Sequence, residues 1–427
     1  MKTAWINGII LDGSRNMTPQ VEKVILVDGP VIRDIVPEGT KLDGYEIHDL
    51  GGKYVLPGLI NLHVHTPGTG KPSKKPMDLT KICKLITSCG PAREVGRHMV
   101  SSNMKNALMA GITTVRAVGG IADFDTTVRD RIEKGKCAGP RILAADLAIS
   151  VPGGHMAGTF AHIAHSAEEA RLLVDEIAKG RPDLIKLMIT GGVMDSEELG
   201  KPGKLLMPKS YVRAACERAH ELGYPVAAHC EGTEGVRVAL ECGVDTIEHG
   251  APPTEEVLSL FRERGAAQVL TISPALPYVS EFPGMFNISE TAVINSQALL
   301  DGMVTMAKAN LKAGVPVGLG TDSACSYSTQ YDMWRELWYF VRYCGVTNRF
   351  ALHTATLVNA KIAGIEQLTG SLEPGKSADL IAVEGNPLED LTVLRDVKLV
   401  ICEGRIYDSP KVKKYPEVES AVDDLLK

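Results

Sequence analysis

The sequence contains no apolar run near the roughly 18 residues that a membrane-crossing helix needs. It contains no C-x-x-C pair, and no basic cluster longer than KPSKK at 71–75. Each shortfall excludes a class. Without a long apolar run, no membrane span is expected. The cysteines number nine, an odd and scattered set (Cys83, Cys89, Cys137, Cys216, Cys230, Cys242, Cys325, Cys344, Cys402). They read as reduced thiols in a cytosolic protein, mostly buried as packing residues. A net charge of −6 without a concentrated cationic surface argues against nucleic acid as a partner, because phosphate binding needs such a surface. A small-molecule substrate is expected instead. The opening MKTAWINGIILDGSRN lacks a long apolar core followed by a small-residue cleavage site, so export is not expected and the cytoplasm is. The 42 glycines and 24 prolines are dispersed, which gives no sign of disorder.

What the sequence does have is alternation. From about residue 54 to 365, short apolar runs alternate with amphipathic stretches: YVLPGLINLHV, GITTVRAVG, PRILAADLAIS, DLIKLMITGG, YPVAAHC, VDTIEHG, AAQVLTISP and VPVGLGTDS. Between them lie helix-like segments such as SAEEARLLVDEIAKG, where Ser166 and Glu169 have capping-box spacing, and PKSYVRAACERAHELG, which closes on Gly223. Eight strands each followed by a helix predict an α/β fold, a (β/α)8 TIM barrel over 58–365. Residues 1–57 and 366–427 carry short alternating strands with Gly and Asp turns, too few at either end to bury a face alone. The two ends are therefore expected to pair into one small composite β-sandwich domain.

In a parallel barrel the functional groups sit at the C-terminal ends of the strands. His63 and His65, two residues apart on a strand, fall on one face about 6–7 Å apart along the chain. Alone they are either a metal pair or two ordinary hydrogen-bonded histidines. Lys186 in the fourth run, His229 after the fifth, His249 after the sixth and Asp322 after the eighth share the same rim, and imidazoles with a carboxylate are the donors that suit Zn²⁺ and similar ions. Lys186 has apolar neighbours on both sides; it either reaches out of the mouth or pairs with a carboxylate. In company with four histidines and Asp322 it is expected to be held neutral and to react with CO₂, giving a carbamate able to bridge two metals.

These residues resemble a known family. P-G-L-I-N-L-H-V-H, the fourth-strand Lys, A-H at 228–229, E-H-G at 248–250, G-T-D-S at 320–323 and the tail G-S-L-E-P-G-K-S-A-D-L-I-A-V-E-G-N-P-L look like the amidohydrolase superfamily, across essentially the whole chain. Within it the pattern is most similar to the branch of imidazolonepropionase-related proteins that includes prolidase-like Xaa-Pro and Xaa-Arg dipeptidases. The resemblance implies a binuclear site with His63, His65 and Asp322 on one divalent ion, expected to be zinc, and His229 and His249 on the other. Carboxylated Lys186 and a hydroxide would bridge them, and Asp322 would carry the proton from the attacking hydroxide to the leaving nitrogen. The implied reaction is hydrolysis of a C–N bond in a small amide or peptide. A cyclic-amide or deaminating hydrolase is the alternative within the family, where one metal suffices and the fourth strand need not carry a lysine. A non-catalytic scaffold is the alternative outside it, and would be expected to have lost ligands. A homo-oligomer is expected.

His155, in the glycine-rich SVPGGHMAG, is the candidate to contact substrate or a developing oxyanion, or else to make a structural hydrogen bond. His162 and His165 are expected to be solvated or capping; His98, His220 and His353 packing or surface residues; His48 part of the small domain. Three positions depart from the branch's usual pattern: Asn61 where Asp is usual, Ala117 after Arg116 where R-D is frequent, and Glu231 where H-A-Y would place tyrosine. Glu231 either meets a cationic or N–H group of the substrate or pairs with Arg237 or another base. Tyr278 and Tyr327 are candidate pocket walls. TPGTGKPSKKPMDLTKICKLITSCG is read as a long loop, a lid or specificity element, whose Lys71, Lys74 and Lys75 either draw in an anion or simply stay solvated.

Overall fold

Residues 54–64, one uninterrupted run in the sequence, fold as two strands, Tyr54–Pro57 and Leu59–Val64, in the computed structural model of the protein, which describes residues 1–73, 78–282 and 289–427. Gly58 makes the break. A Cβ there would lie 2.1 Å from Thr113 Oγ1, so only glycine lets the chain pass this close to its neighbour. Tyr54–Pro57 joins the small domain by pairing with Leu380–Val383, while Leu59–Val64 pairs in parallel with Ile112–Ala117 as the first barrel strand.

The remaining barrel strands follow in order: Arg141–Ala144, Ile185–Met188, Val226–Cys230, Thr246–His249, Ala267–Leu270 and Val317–Leu319. They are parallel throughout. Asp183 N donates to Ala144 O at 2.8 Å between the third and fourth strands, and Asp322 N donates to His63 O at 2.9 Å where the eighth meets the first. The barrel is thus closed on itself. The predicted third strand PRILAADLAIS is divided: its second piece, Ala148–Ser150, pairs in parallel with the fourth strand at Ile149 and Leu187 and, on its other side, with Ala161–Ile163.

The helices lie outside, and several use the predicted signals. Ser166 Oγ accepts from Glu169 N at 3.0 Å at the start of Ala167–Ala178, and the Glu169 carboxylate accepts from His165 N, so His165 stands at a cap. The segment after the first strand is not wholly a loop. Leu79–Thr87 is a helix, capped by Asp78, whose carboxylate accepts from Lys81 N at 3.0 Å. Lys74 and Lys75 lie outside the described residues.

The two chain ends build a sandwich. A four-stranded sheet from residues 2–49 faces a five-stranded sheet that combines Ile9–Ile10 and Tyr54–Pro57 with Leu380–Val383, Leu399–Cys402 and Arg405–Asp408. Trp5, Ile25, Ile32, Val55, Leu380 and Ile401 are among the side chains that pack between them. The strands therefore share one core that neither end could bury alone. The last helix, Pro416–Asp423, takes no part in it. It packs on the barrel, where buried Arg335 from the helix Met333–Cys344 pairs with Asp332, Glu419 and Asp423. Among the described residues no helix is long and apolar enough to cross a membrane.

Candidate metal centre

The rim histidines converge. Ring centroids lie 5.4 Å apart for His63 and His65, 4.9 Å for His63 and His249, and 4.7 Å for His229 and His249. Each of three rings is aimed by a bond at its Nδ1: His63 to Glu248 Oε2, His65 to Gly119 O and His249 to Thr271 Oγ1, all at 2.7 Å. A carboxylate and a carbonyl can only accept, so His63 and His65 must donate from Nδ1 and leave Nε2 with its lone pair. Both Nε2 atoms face Asp322 Oδ1, at 3.5 Å from His63 and 3.2 Å from His65.

Burial, reinforced by the charge of Lys186, pushes His63 down to about 4, although Asp322 and Glu248 pull the other way. The ring is therefore neutral near pH 7. Burial likewise drives His229 and His249 well below the usual histidine range. Asp322 is held well below the carboxylate range: burial opposes its charge, but the surrounding imidazoles outweigh burial. The result is three acceptors facing one another. Asp322 Oδ1 has no hydrogen-bond partner of proper geometry among the described residues, an arrangement that a cation resolves and a proton between neutral rings does not. Donors from His63, His249 and Asp322 lie within 4.8 Å of one another, and so do donors from His229, Glu231 and His249. Both sets are neutral imidazole plus carboxylate, the chemistry that holds a divalent ion. His249, φ +67°, and Asp322, φ +48°, both stand in the left-handed region, a strained backbone state of the kind found at functional sites.

Lys186 is 1% exposed, on the fourth strand beneath this cluster. Burial lowers its ammonium to about 8; Arg116 pushes the same way, against Glu248 and Asp322. Under the histidines sits a support that sequence reasoning missed. Glu248 is fully buried, accepts from Arg116 Nη2 at 2.7 Å through Oε1, and holds His63 through Oε2. Burial opposes its charge, but Arg116, His63 and Lys186 together keep it ionised, below the usual range. Arg116 also donates from Nε to Leu62 O at 2.7 Å. The signal available was the carboxylate that directly precedes His249 in VDTIEHG. Asn61, one of the departures, ties the first strand to the eighth: Oδ1 accepts from Thr321 N at 3.0 Å and Nδ2 donates to Thr321 Oγ1 at 2.8 Å.

His155 lies at the same mouth. It stacks on His229 with centroids 4.3 Å apart and rings 9° from parallel, and its Nδ1 is 2.6 Å from Asp195 Oδ2. Asp195 also accepts from Gly192 N at 2.8 Å. No sequence signal marked Asp195. Glu231 is 7% exposed, with Oε1 3.8 Å from His229 Nε2. Arg237 pairs instead with Glu234 and Glu241, which removes it as the partner of Glu231. Burial, followed by Asp322 and Asp195, raises the Glu231 carboxyl well above the usual range. Tyr278 is partly buried on the short helix Leu276–Val279, its hydroxyl raised to about 12 by burial and by nearby Cys325. Tyr327 is buried in a cluster with Phe282, Val418 and Val422, beneath the terminal helix. The other histidines stand apart from this cluster: His220 pairs with Asp245, His353 bonds to Gly13 O, and His48 stacks on Trp5. A cavity of about 780 Å³ opens at the opposite, N-terminal end of the barrel, beside Val226, Thr246, Ala267 and Val317. It is separated from the histidines by the length of the strands, and the chemistry lies at the other mouth.

Residues 54–407 match the amidohydrolase family. An ochratoxinase from Aspergillus niger is 29% identical over 393 residues, covering 85% of this chain and 77% of its own. The crystal structure of a putative prolidase from Bifidobacterium longum is 33% identical with a TM-score of 0.87, covering 100% of this chain and 99% of that one. A Xaa-Pro dipeptidase crystallised with methionine in its active site is 30% identical with a TM-score of 0.83, covering 96% and 100%. On this match and this site, the chain belongs to the amidohydrolase family and is a hydrolase of amide C–N bonds.

Proposed function

We propose that the protein is a divalent-metal-dependent hydrolase of a small dipeptide or N-acyl amino acid, with His63, His65 and Asp322 holding one ion, His229 and His249 a second, and carboxylated Lys186 spanning the two. The observation that carries this is the facing of His63 Nε2, His65 Nε2 and Asp322 Oδ1, three acceptors of which His63 and Asp322 are buried and His65 is partly so, with both ring Nδ1 protons already committed elsewhere. Imidazole and carboxylate donors suit zinc. When bound, such ions polarise the scissile carbonyl and make water acidic enough to ionise near neutral pH.

The protein's own groups do the rest. Lys186, whose ammonium is lowered to about 8, presents enough free amine near neutral pH to attack CO₂, forming an N–C bond and releasing one proton. Its product is an anionic carbamate in place of a cation. Asp322, at the rim and with its Oδ1 unsatisfied among the described residues, takes the proton from the attacking water and hands it to the leaving nitrogen. His155, steered by Asp195, is placed to donate to the oxygen of the substrate carbonyl as charge develops there. Glu248 and Arg116 keep His63 from turning. The dipeptide class is supported by the name of the Xaa-Pro dipeptidase. Nine free cysteines support a reducing, cytoplasmic setting.

The test is metal content by mass spectrometry alongside hydrolysis of a panel of dipeptides, N-acyl amino acids and cyclic amides. About two divalent ions per chain are expected, with loss of activity in His63→Ala, Lys186→Ala and Asp322→Asn. Full activity in Lys186→Ala, or with one equivalent of metal, would sink the two-ion mechanism.

A further inference from the structure

Glu231 stands apart from the ligand set proposed above, yet its surroundings treat it as part of that set. Its backbone is pinned from two sides. Its N–H donates to Thr190 Oγ1 at 3.1 Å, and Gly203 lies so close behind it that a Cβ there would fall 2.2 Å from the Glu231 carbonyl carbon. With the main chain held this way the side chain is buried, 7% exposed. Oε2 is buried without any hydrogen-bond partner among the described residues, while the carboxyl accepts from the Val193 backbone N–H and Oε1 stands 3.8 Å from His229 Nε2. The bases that could have answered it are engaged elsewhere: Arg237 with Glu234 and Glu241, Arg116 with Glu248.

A carboxylate so buried and so poorly satisfied is expensive unless a cation comes to it. One donor atom each from Glu231, His229 and His249 lies within 4.8 Å of the other two. Donors about 2 Å from a common ion stand about 3–4 Å apart, so a slight closure completes the shell. We infer that Glu231 is a carboxylate ligand of the ion held by His229 and His249. This rests on the two-ion reading above, and it gives Glu231 a task other than the two that its place in the sequence left open, a substrate contact or a pairing with a base. A substrate amine would leave the carboxylate unsatisfied after every turnover. A resident ion satisfies it throughout.

The experiment uses the full chain, stripped of metal and titrated with Co²⁺ by calorimetry and absorbance. Wild type is expected to take two equivalents. Glu231→Gln should keep the first and bind the second at least tenfold more weakly. Glu231→Cys loaded with Co²⁺ should show a thiolate-to-cobalt charge-transfer band that loaded wild type lacks, a direct signature of contact that does not depend on activity and remains readable if the Gln variant folds poorly. Two equivalents bound normally by Glu231→Gln, with no new band in Glu231→Cys, would overturn the inference alone. So would unchanged metal binding together with a raised KM confined to substrates bearing a free amino group, which would return Glu231 to substrate recognition. Uptake of only one equivalent by wild type would overturn the two-ion reading and this inference with it.

Discussion

Glu248 Oε2 lies 2.7 Å from His63 Nδ1, and neither group reaches solvent. This carboxylate sets the ring's tautomer and leaves Nε2 free for an ion, the arrangement by which outer groups tune metal affinity. Glu248→Gln should weaken binding of the ion at His63 about 10- to 100-fold, read by metal titration. Arg116→Met removes the partner of a fully buried carboxylate, and should lower unfolding stability by about 3–5 kcal/mol in urea. An Arg116→Met protein as stable as wild type would mean that Glu248 is held by something other than this pair.

Lys186 makes stability rise with pH in the metal-free protein. In the fold its ammonium is lowered to about 8; in the unfolded chain it returns to the usual 10.5. Between these values the unfolded chain carries the extra proton, so the free energy of unfolding climbs as pH rises through the window. Below about pH 8 both states are charged and the penalty is full, about 3 kcal/mol. Comparing metal-free wild type with Lys186→Met in urea at pH 7 and pH 10 cancels the other titrating groups. The advantage of the variant should shrink by about that amount at the higher pH. An advantage that stays constant would contradict a lysine held in this way.

Asp195 and His155 make up a positioning pair at the mouth. Asp195→Asn should lower kcat/KM about tenfold or more while leaving metal content unchanged, and His155→Gln should do the same to a greater degree. Metal content separates the two possible roles. If either variant also loses an ion, the pair belongs to the metal shell and does not address the substrate.

Chelation should destabilise the protein as well as inactivate it. Stripping an ion that the folded state alone binds lowers the melting temperature, and re-adding Zn²⁺ should restore it in a concentration-dependent way. A melting temperature indifferent to chelator would argue that the facing acceptors around Asp322 are relieved by some means other than a cation.

The terminal helix Pro416–Asp423 is clamped by Arg335, and Tyr327 on the loop after the eighth strand is buried under it with Phe282. Removing residues 412–427 strands Arg335 beside Asp332 alone and uncovers that loop. We expect a clear fall in melting temperature and a greater exposure of the 324–331 segment to limited proteolysis. Intact kinetics and stability in the truncated chain would show that this clasp is incidental.

Much of this site could be read along the chain. His63 and His65 share a strand face because side chains alternate with period two, and the ends of barrel strands meet at one rim whatever lies between them. His229, His249 and Asp322 could be gathered from sequence for the same reason. Glu248 is the informative miss. It neighbours His249 in sequence, yet it serves His63, which precedes it by 185 residues. Asp195 was missed because it sits in an irregular loop, where no periodicity says which way a side chain turns. The long loop read after the first strand proved partly helical, since LTKICKLIT is amphipathic and Asp78 caps it.

Residue type and spacing were enough for the alternating architecture, the pairing of the two ends into one small domain, and the set of imidazoles, lysine and carboxylate at the rim. Those features follow from local periodicity and from a closed parallel sheet that brings all strand ends together. Folding alone decided which donors face one another without protons, which carboxylate stands behind which ring, and that Glu231 turns inward with no Lys or Arg paired to it among the described residues. Such relations depend on contacts between segments tens to hundreds of residues apart, and on burial that removes water as a competing partner. No window of sequence contains either.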